Sequence, residues 1–220
     1  MMQRDELEAA CLTLSMAATL IYCEPDASAL DGYLVPGLFD ASPFGGEDPL
    51  VAEGLSAMAA WCDEARGDSD RPARLTDLRD DWFQLVSGPG EPCAPAWSGY
   101  WLSTNSQILS EESLAVRCLY ARHGFEPARK NREPDDALGI MLGFLGELAG
   151  EAAQAGERGD AAAAKTACDD ARELLARHVL PWVDAWRDRM AGHARTSFYR
   201  GVGAFACGLA HVCAARLGCA

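Results

Sequence analysis

Residues 133–148 read Glu-Pro-Asp-Asp-Ala-Leu-Gly-Ile-Met-Leu-Gly-Phe-Leu-Gly-Glu-Leu and carry two stripes at once. Leu138, Met141, Leu142, Leu145 and Leu148 recur at i, i+3, i+4, i+7 and i+10, the spacing of one helical face. Gly139, Gly143, Gly146 and Gly150 recur at helical spacing as well. Each Gly costs up to ~1 kcal/mol against Ala inside a helix, so four on one face imply a second backbone lying close. The stretch predicts a buried core helix running to about Gln154. Pro134, Asp135 and Asp136 suit its start, because an Asp oxygen can accept from the unpaired N–H groups of a first turn. Exposed carboxylates in such a loop can also meet a ligand.

Helical patterns fill most of the remaining chain. Residues 5–23 align Leu7, Cys11, Leu14, Ala18 and Ile21. Asp48-Pro49 opens a second helix with Val51, Leu55, Met58 and Cys62, stopped by Gly67. After a solvated connection over 67–74, residues 75–86 align Leu75, Leu78, Trp82 and Leu85. Ser110-Glu111-Glu112 starts a helix that Gly124 ends. Asp160 caps an Ala-rich helix that Pro181 must break or kink. The last helix, from about Thr196, carries Phe198, Val202, Phe205, Leu209 and Val212 and closes at Gly218. Residues 24–47, rich in Pro and Gly, read as loop with at most a short helix. No stretch alternates as a strand. The expected fold is all-α, a single globular bundle of about nine to eleven helices. Its organisation is one domain over 1–220. An N-terminal portion (residues 1–123) precedes a hinge over 124–135 that carries Arg129, Lys130 and Arg132, and a C-terminal portion (residues 136–220) follows.

The formal net charge is −14. That argues against nucleic acid and anionic membranes and for a cationic partner, unless the acidity serves solubility alone. Nine Cys residues with no CxxC, five of them (Cys11, Cys62, Cys118, Cys207, Cys213) inside apolar helical patterns, fit reduced, buried thiols in a cytoplasmic protein. Asp5, Glu6 and Glu8 stand where a secretion signal would be basic, and no run reads as apolar enough to span a membrane.

Patterns of catalysis are scarce. GxSxG, HExxH and the phosphate-binding P-loop are absent. Gly201-Val202-Gly203-Ala204-Phe205-Ala206 matches GxGxxA but falls inside a predicted helix with no strand before it. Cys207 and His211 sit at i, i+4, with Cys213 and Cys219 nearby, a spacing that a metal can use and that packed thiols with a surface His explain more simply. Asp135, Asp136 and Glu133 offer an acid–base pair in principle. His178, one turn before Trp182, reads as a packed, hydrogen-bonded core residue. The chain is expected to be no enzyme and to need neither cofactor nor metal. Residues 87–101 are another matter. They compress three Pro, three Gly and the aromatics Trp97, Tyr100 and Trp101, raw material for a peptide-binding wall or a cap on the core.

Four segments in order resemble the TorD/DmsD/NarJ family of redox-enzyme maturation chaperones. Asp81-Trp82-Phe83-Gln84-Leu85-Val86-Ser87-Gly88-Pro89 with Ala94-Pro95-Ala96-Trp97 resembles the family's helix, Gly-Pro turn and Pro-Pro-Trp loop. Glu133-Pro134-Asp135-Asp136-Ala137 resembles its Glu-Pro-x-Asp-His signature, and His178-Val179-Leu180-Pro181-Trp182 its His-x-Leu-Pro-Trp element. Ser197-Phe198-Tyr199-Arg200-Gly201-Val202 resembles its Phe-Tyr-Arg-Gly segment. Ala137 stands in place of the signature His, Ala96 in place of the second Pro and Val86 in place of a usual Phe.

The resemblance implies an all-helical cytoplasmic chaperone, monomeric or a domain-swapped homodimer. It would bind the twin-arginine signal peptide, or another segment, of a molybdoenzyme-type precursor until the cofactor is loaded. Its peptide-binding residues would be Trp82, Leu85, Val86, Pro95, Trp97, Glu133, Asp136 and Ala137. Asp136 would accept from a leader arginine, while Trp82, Leu85, Val86 and Trp97 receive the apolar segment. A small helical enzyme or metal protein using Asp135/Asp136 or Cys207/His211, or a structural adaptor, are the alternatives.

Overall fold

The structure, a computed structural model, describes residues 2–88, 90–103, 111–127 and 133–219. Among these the chain forms ten α-helices: α1 Arg4–Tyr22, α2 Ala27–Tyr33, α3 Pro49–Gly67, α4 Arg71–Trp82, α5 Ser98–Leu102, α6 Glu111–Arg122, α7 Leu138–Glu157, α8 Ala161–Leu174, α9 Val183–His193 and α10 Ser197–Leu217. Wide π-helical turns follow α4 (Phe83–Ser87) and α8 (Leu175–Val179). No strand forms among the described residues apart from one isolated bridge. The all-α expectation holds.

Two compact units divide the chain, and each draws on distant segments. The first comprises Met1–Tyr22, Ala96–Val183 and Ala210–Ala220. Its centre is the predicted helix, now α7, laid against α1. A Cβ on Gly139 would stand 2.9 Å from Tyr22 Cβ and 3.1 Å from the Ala18 carbonyl oxygen, and one on Gly146 would stand 3.1 Å from the Cys11 carbonyl oxygen. The glycine stripe is therefore the seam where two helix backbones meet, and Leu138, Met141, Leu142, Leu145 and Leu148 are buried. The start of α7 differs from expectation. Its N-cap is Ala137, which makes no side-chain cap, and the Leu138 N–H donates instead to the Ala96 carbonyl at 2.7 Å. Neither Asp135 nor Asp136 caps this helix.

The second unit comprises Cys23–Pro95 and Asp184–Leu209. Here α3 and α10 cross backbone on backbone. A Cβ on Gly54 would stand 2.5 Å from the Phe205 nitrogen and 2.6 Å from the Gly201 carbonyl oxygen. Gly203 faces Met190 and Gly208 faces Val51 at similarly short range. The glycines of the GxGxxA match are thus packing positions in a helix, not a phosphate cradle. Phe198 anchors an aromatic cluster with ring centroids 5.0 Å from Tyr33, 5.4 Å from Trp61 and 5.8 Å from Phe39.

Several expectations need correction. The connection over 67–74 ends early: Asp70 caps Ala73 N–H at 3.0 Å and Pro72 occupies the first turn, so α4 begins at Arg71. Residues 24–47 do contain a short helix, α2, capped by Asp26. Cys118 is exposed rather than buried, whereas Cys62, Cys207 and Cys213 are interior; none of the nine is in a disulfide. By length and composition α10 is apolar enough to cross a membrane, but 83% of its apolar window is buried inside the protein, which is how a core helix reads. Residues 128–132 of the expected hinge, Ser110 and Pro89 lie outside the described residues.

Candidate peptide-binding site

In the first unit, the Ala-Pro-Ala-Trp and Glu-Pro-Asp-Asp-Ala motifs are joined directly. Trp97 and Ala137 pair as an antiparallel bridge. The Ser98 N–H donates to the Asp136 carbonyl at 3.1 Å, which together with the Leu138 bond to Ala96 lashes the two loops into one short ribbon. Trp97 begins a row of aromatic rings. Its centroid lies 6.1 Å from Tyr100, Tyr100 lies 5.2 Å from Trp101, and Trp101 stacks on Trp182 at 6.0 Å and 15°. Trp97, Tyr100 and Trp101 are half-buried, whereas Trp182 is in the core with its indole N–H donating to the His178 carbonyl at 2.5 Å. The row is therefore rooted at one end and open along its length, the arrangement that gives an aromatic wall both rigidity and apolar surface. The Trp97 indole nitrogen is buried without a partner.

The acids of the signature are placed differently from the sequence expectation. Asp136 is only 1% exposed. Its carboxylate accepts from the Ser98 hydroxyl at 2.9 Å and from the Gly99 N–H at 2.6 Å, so it caps α5 from a loop 38 residues away. Burial pushes its carboxyl above the usual range, opposed by the Gly99 and Ser98 hydrogen bonds. A leader arginine has no open oxygen to meet there. Asp135, also buried, accepts from Arg117 Nε at 2.6 Å, and its carbonyl accepts from the Tyr120 hydroxyl at 2.8 Å. Glu133 and Ala137 are half-buried and keep a face to solvent.

The remaining predicted residues belong to the second unit. There the π-helical turn frees the carbonyls of Gln84 and Leu85, which accept from the N–H groups of Cys93 and Ala94 at 3.0 and 2.9 Å. The Ala94 carbonyl in turn accepts from the Trp186 indole at 3.2 Å. Leu85 is fully buried, Trp82 is 7% exposed, Pro95 is buried and Val86 is half-buried. Trp82 and Leu85 are thus core supports beneath the turn. Asp81, the first motif residue, has a structural role that no sequence pattern announces. It is wholly buried and accepts from the N–H groups of Arg195 and Thr196 and the Thr196 hydroxyl, at 3.0, 2.8 and 2.7 Å, just before α10. The first motif is therefore tied to the turn just ahead of the fourth. The Cys207 thiol, fully buried, donates to Asp184 at 3.4 Å, and burial and that carboxylate push it up to about 12. His178 is 4% exposed; its Nδ1 lies 3.1 Å from Glu112 but at an angle that makes no hydrogen bond.

Removing the Asp136 carboxylate is expected to cost stability: Asp136→Ala leaves the Gly99 N–H and Ser98 hydroxyl unpaired, a loss of ~1–3 kcal/mol per buried group. Asp136→Asn keeps an acceptor and should lose less. Urea titrations of both variants check this; an unchanged midpoint for Asp136→Ala would mean the cap is idle.

Comparison with known proteins adds to this geometry. The nitrate reductase delta subunit family matches residues 47–188, well over half of the 220-residue chain. The chain belongs to that family. Three of the four motifs, from Asp81 to Trp182, lie inside the matched span of this nitrate reductase delta subunit family member. It is also similar to proteins named Tat proofreading chaperone DmsD. That of Salmonella typhi is 26% identical over 205 residues, covering 93% of this chain and 87% of the relative. Those of Salmonella typhimurium and Salmonella paratyphi A are 25% and 26% identical over the same shares. The resemblance that the four motifs carried is thus a true family relation.

Proposed function

We propose that this protein is a cytoplasmic redox-enzyme maturation chaperone. It binds the twin-arginine signal peptide of a molybdoenzyme-type precursor and holds it, without catalysing a reaction, while the cofactor is loaded. The observation that carries this reading is the half-exposed aromatic row from Trp97 to Trp101, fixed in place by the bridge between Trp97 and Ala137. Its relatives' name, Tat proofreading chaperone, supports it. So does the charge: a −14 protein complements a leader that is basic at one end and apolar in the middle. Within the site, Trp97 supplies apolar surface and Glu133 and Ala137 border it. Asp136 acts as a positioning residue that keeps α5 and the aromatic row in register. In the second unit, Trp82, Leu85 and Val86 support the turn that precedes Pro95 in the chain.

The test is calorimetric titration with a peptide of two adjacent arginines followed by an alanine–leucine stretch. Truncating an aromatic anchor commonly costs ~2 kcal/mol or more, and each tenfold is ~1.4 kcal/mol, so Trp97→Ala should weaken binding at least about tenfold. The melting temperature should stay close to the parent's. Equal binding by a folded Trp97→Ala protein would show that the peptide lies elsewhere. Asp136→Asn should leave the salt dependence of binding unaltered, because its charge never meets solvent.

A further inference from the structure

With Asp136 buried, the leader's arginines need another acceptor, and the second unit contains a cleft with the matching chemistry. It lies between the loop 39–47 and the outer side of α3, is open to solvent and has a volume of about 620 Å³. Phe39 and Leu55, both buried, form its floor, with Ala52, Ala59 and Pro43 on its sides. Asp40 and Glu47 line it as exposed acids. The wall is preformed. The Ser42 hydroxyl donates to the Phe44 carbonyl at 2.6 Å, Gly45 adopts φ 69° and Phe44 is buried. The start of α3, which would otherwise favour an anion, is already neutralised by Asp48, whose carboxylate accepts from Leu50 and Val51 N–H at 2.9 and 3.1 Å. Just before the cleft, Val35 and Leu38 are 53% and 39% exposed, two of the few large apolar side chains so open among the described residues. This unit also holds the denser charge, seventeen acidic against eight basic side chains.

Resting on the chaperone reading above, we infer that this cleft is a binding site for an arginine-bearing, apolar-flanked segment of the client peptide. The guanidinium sits against Asp40 and Glu47, its aliphatic stem lies over the Phe39–Leu55 floor, and the apolar residues next to it cover Val35 and Leu38. Arginine suits such a place better than lysine, because a flat, weakly hydrated fork can meet two carboxylates and still pack on apolar surface.

The experiment compares peptides carrying Arg-Arg, Lys-Lys or Gln-Gln before the same alanine–leucine stretch, titrated into the intact protein. The doubly neutralised Asp40→Asn/Glu47→Gln protein should bind the Arg-Arg peptide about tenfold more weakly and with a flatter salt dependence, since exposed charges are screened over ~8 Å at 0.15 M salt. It should bind the Gln-Gln peptide as the parent does. Ala52→Trp, which fills the cleft and keeps its charge, should weaken the Arg-Arg peptide as well. All these positions are at the surface, so melting temperatures should hold. If both cleft variants bind Arg-Arg like the parent while Trp97→Ala does not, the cleft is not the reader and the chaperone reading stands. If the parent distinguishes none of the peptides or binds none, both readings fall.

Discussion

Gly54→Ala is expected to destabilise the protein by roughly 3 kcal/mol, although Ala is the better helix former by up to ~1 kcal/mol. The added methyl would sit 2.5 Å from the Phe205 nitrogen and 2.6 Å from the Gly201 carbonyl oxygen. Both are backbone atoms of α10, so no side-chain rotation relieves the clash. The two helices must separate, and the close packing along that crossing is lost. Overpacking usually costs ~1–3 kcal/mol, and a rigid backbone obstacle belongs at the top of that range or beyond. Gly192→Ala is the control: it lies in α9 with nothing within 4 Å of the new methyl, and it should be neutral or mildly stabilising. Chemical denaturation of the two variants side by side decides the matter. Equal stabilities would mean that α3 and α10 do not meet at Gly54.

Asp81→Ala should cost a comparable amount, about 3 kcal/mol or more, because three donors lose one buried acceptor at once. The Arg195 N–H, the Thr196 N–H and the Thr196 hydroxyl all point at this carboxylate from part-buried positions, and together with the loss of a wholly buried charged acceptor each bond to it is worth ~1–3 kcal/mol before relaxation. The helix that follows also loses a negative charge at its N-terminus. Asp81→Asn retains one acceptor oxygen and should fall between the parent and Ala. Hydrogen exchange separates this from a general loosening: the amides of Arg195 and Thr196 should exchange faster than those of α3 well before global unfolding. Protection unchanged at those two amides would refute the role assigned to Asp81.

These two sites also show what a sequence can and cannot disclose. The double stripe of α7 is readable because helical period and repeated glycine are local signals, and the seam with α1 follows from them. The start of α4 at Asp70-Arg71-Pro72 is equally local and is hidden only by the polar run around it. Asp136 and Asp81 are not readable as remote caps. An acid beside a helix start looks like that helix's own cap, and nothing in the sequence announces that Asp136 serves Ser98 and Gly99, or Asp81 Thr196. The same limit hides the cleft beside α3. Asp40 and Glu47 stand in a loop of Pro and Gly, and only the buried Phe39 and Phe44 make that loop a wall. The aromatics of residues 97–101 are visible as raw material, but not their order of stacking nor which ring is rooted in the core.

The division of the chain bears on how the molecule is made. The path passes between the units at 22–23, 95–96, 183–184 and 209–210, so neither unit is a continuous stretch of polypeptide. On a ribosome, α1 waits for α7, and Gly54 of α3 waits for Gly201 of α10, through most of translation. A domain that folds as its N-terminal portion emerges is the common route, and it is closed to this chain. Both units reach completion only as the last helix appears. A nascent chain stalled short of Arg195 would hold three of the four motifs in its sequence but not the Asp81 joint, and a protease cut at any single crossing would free no half able to stand alone.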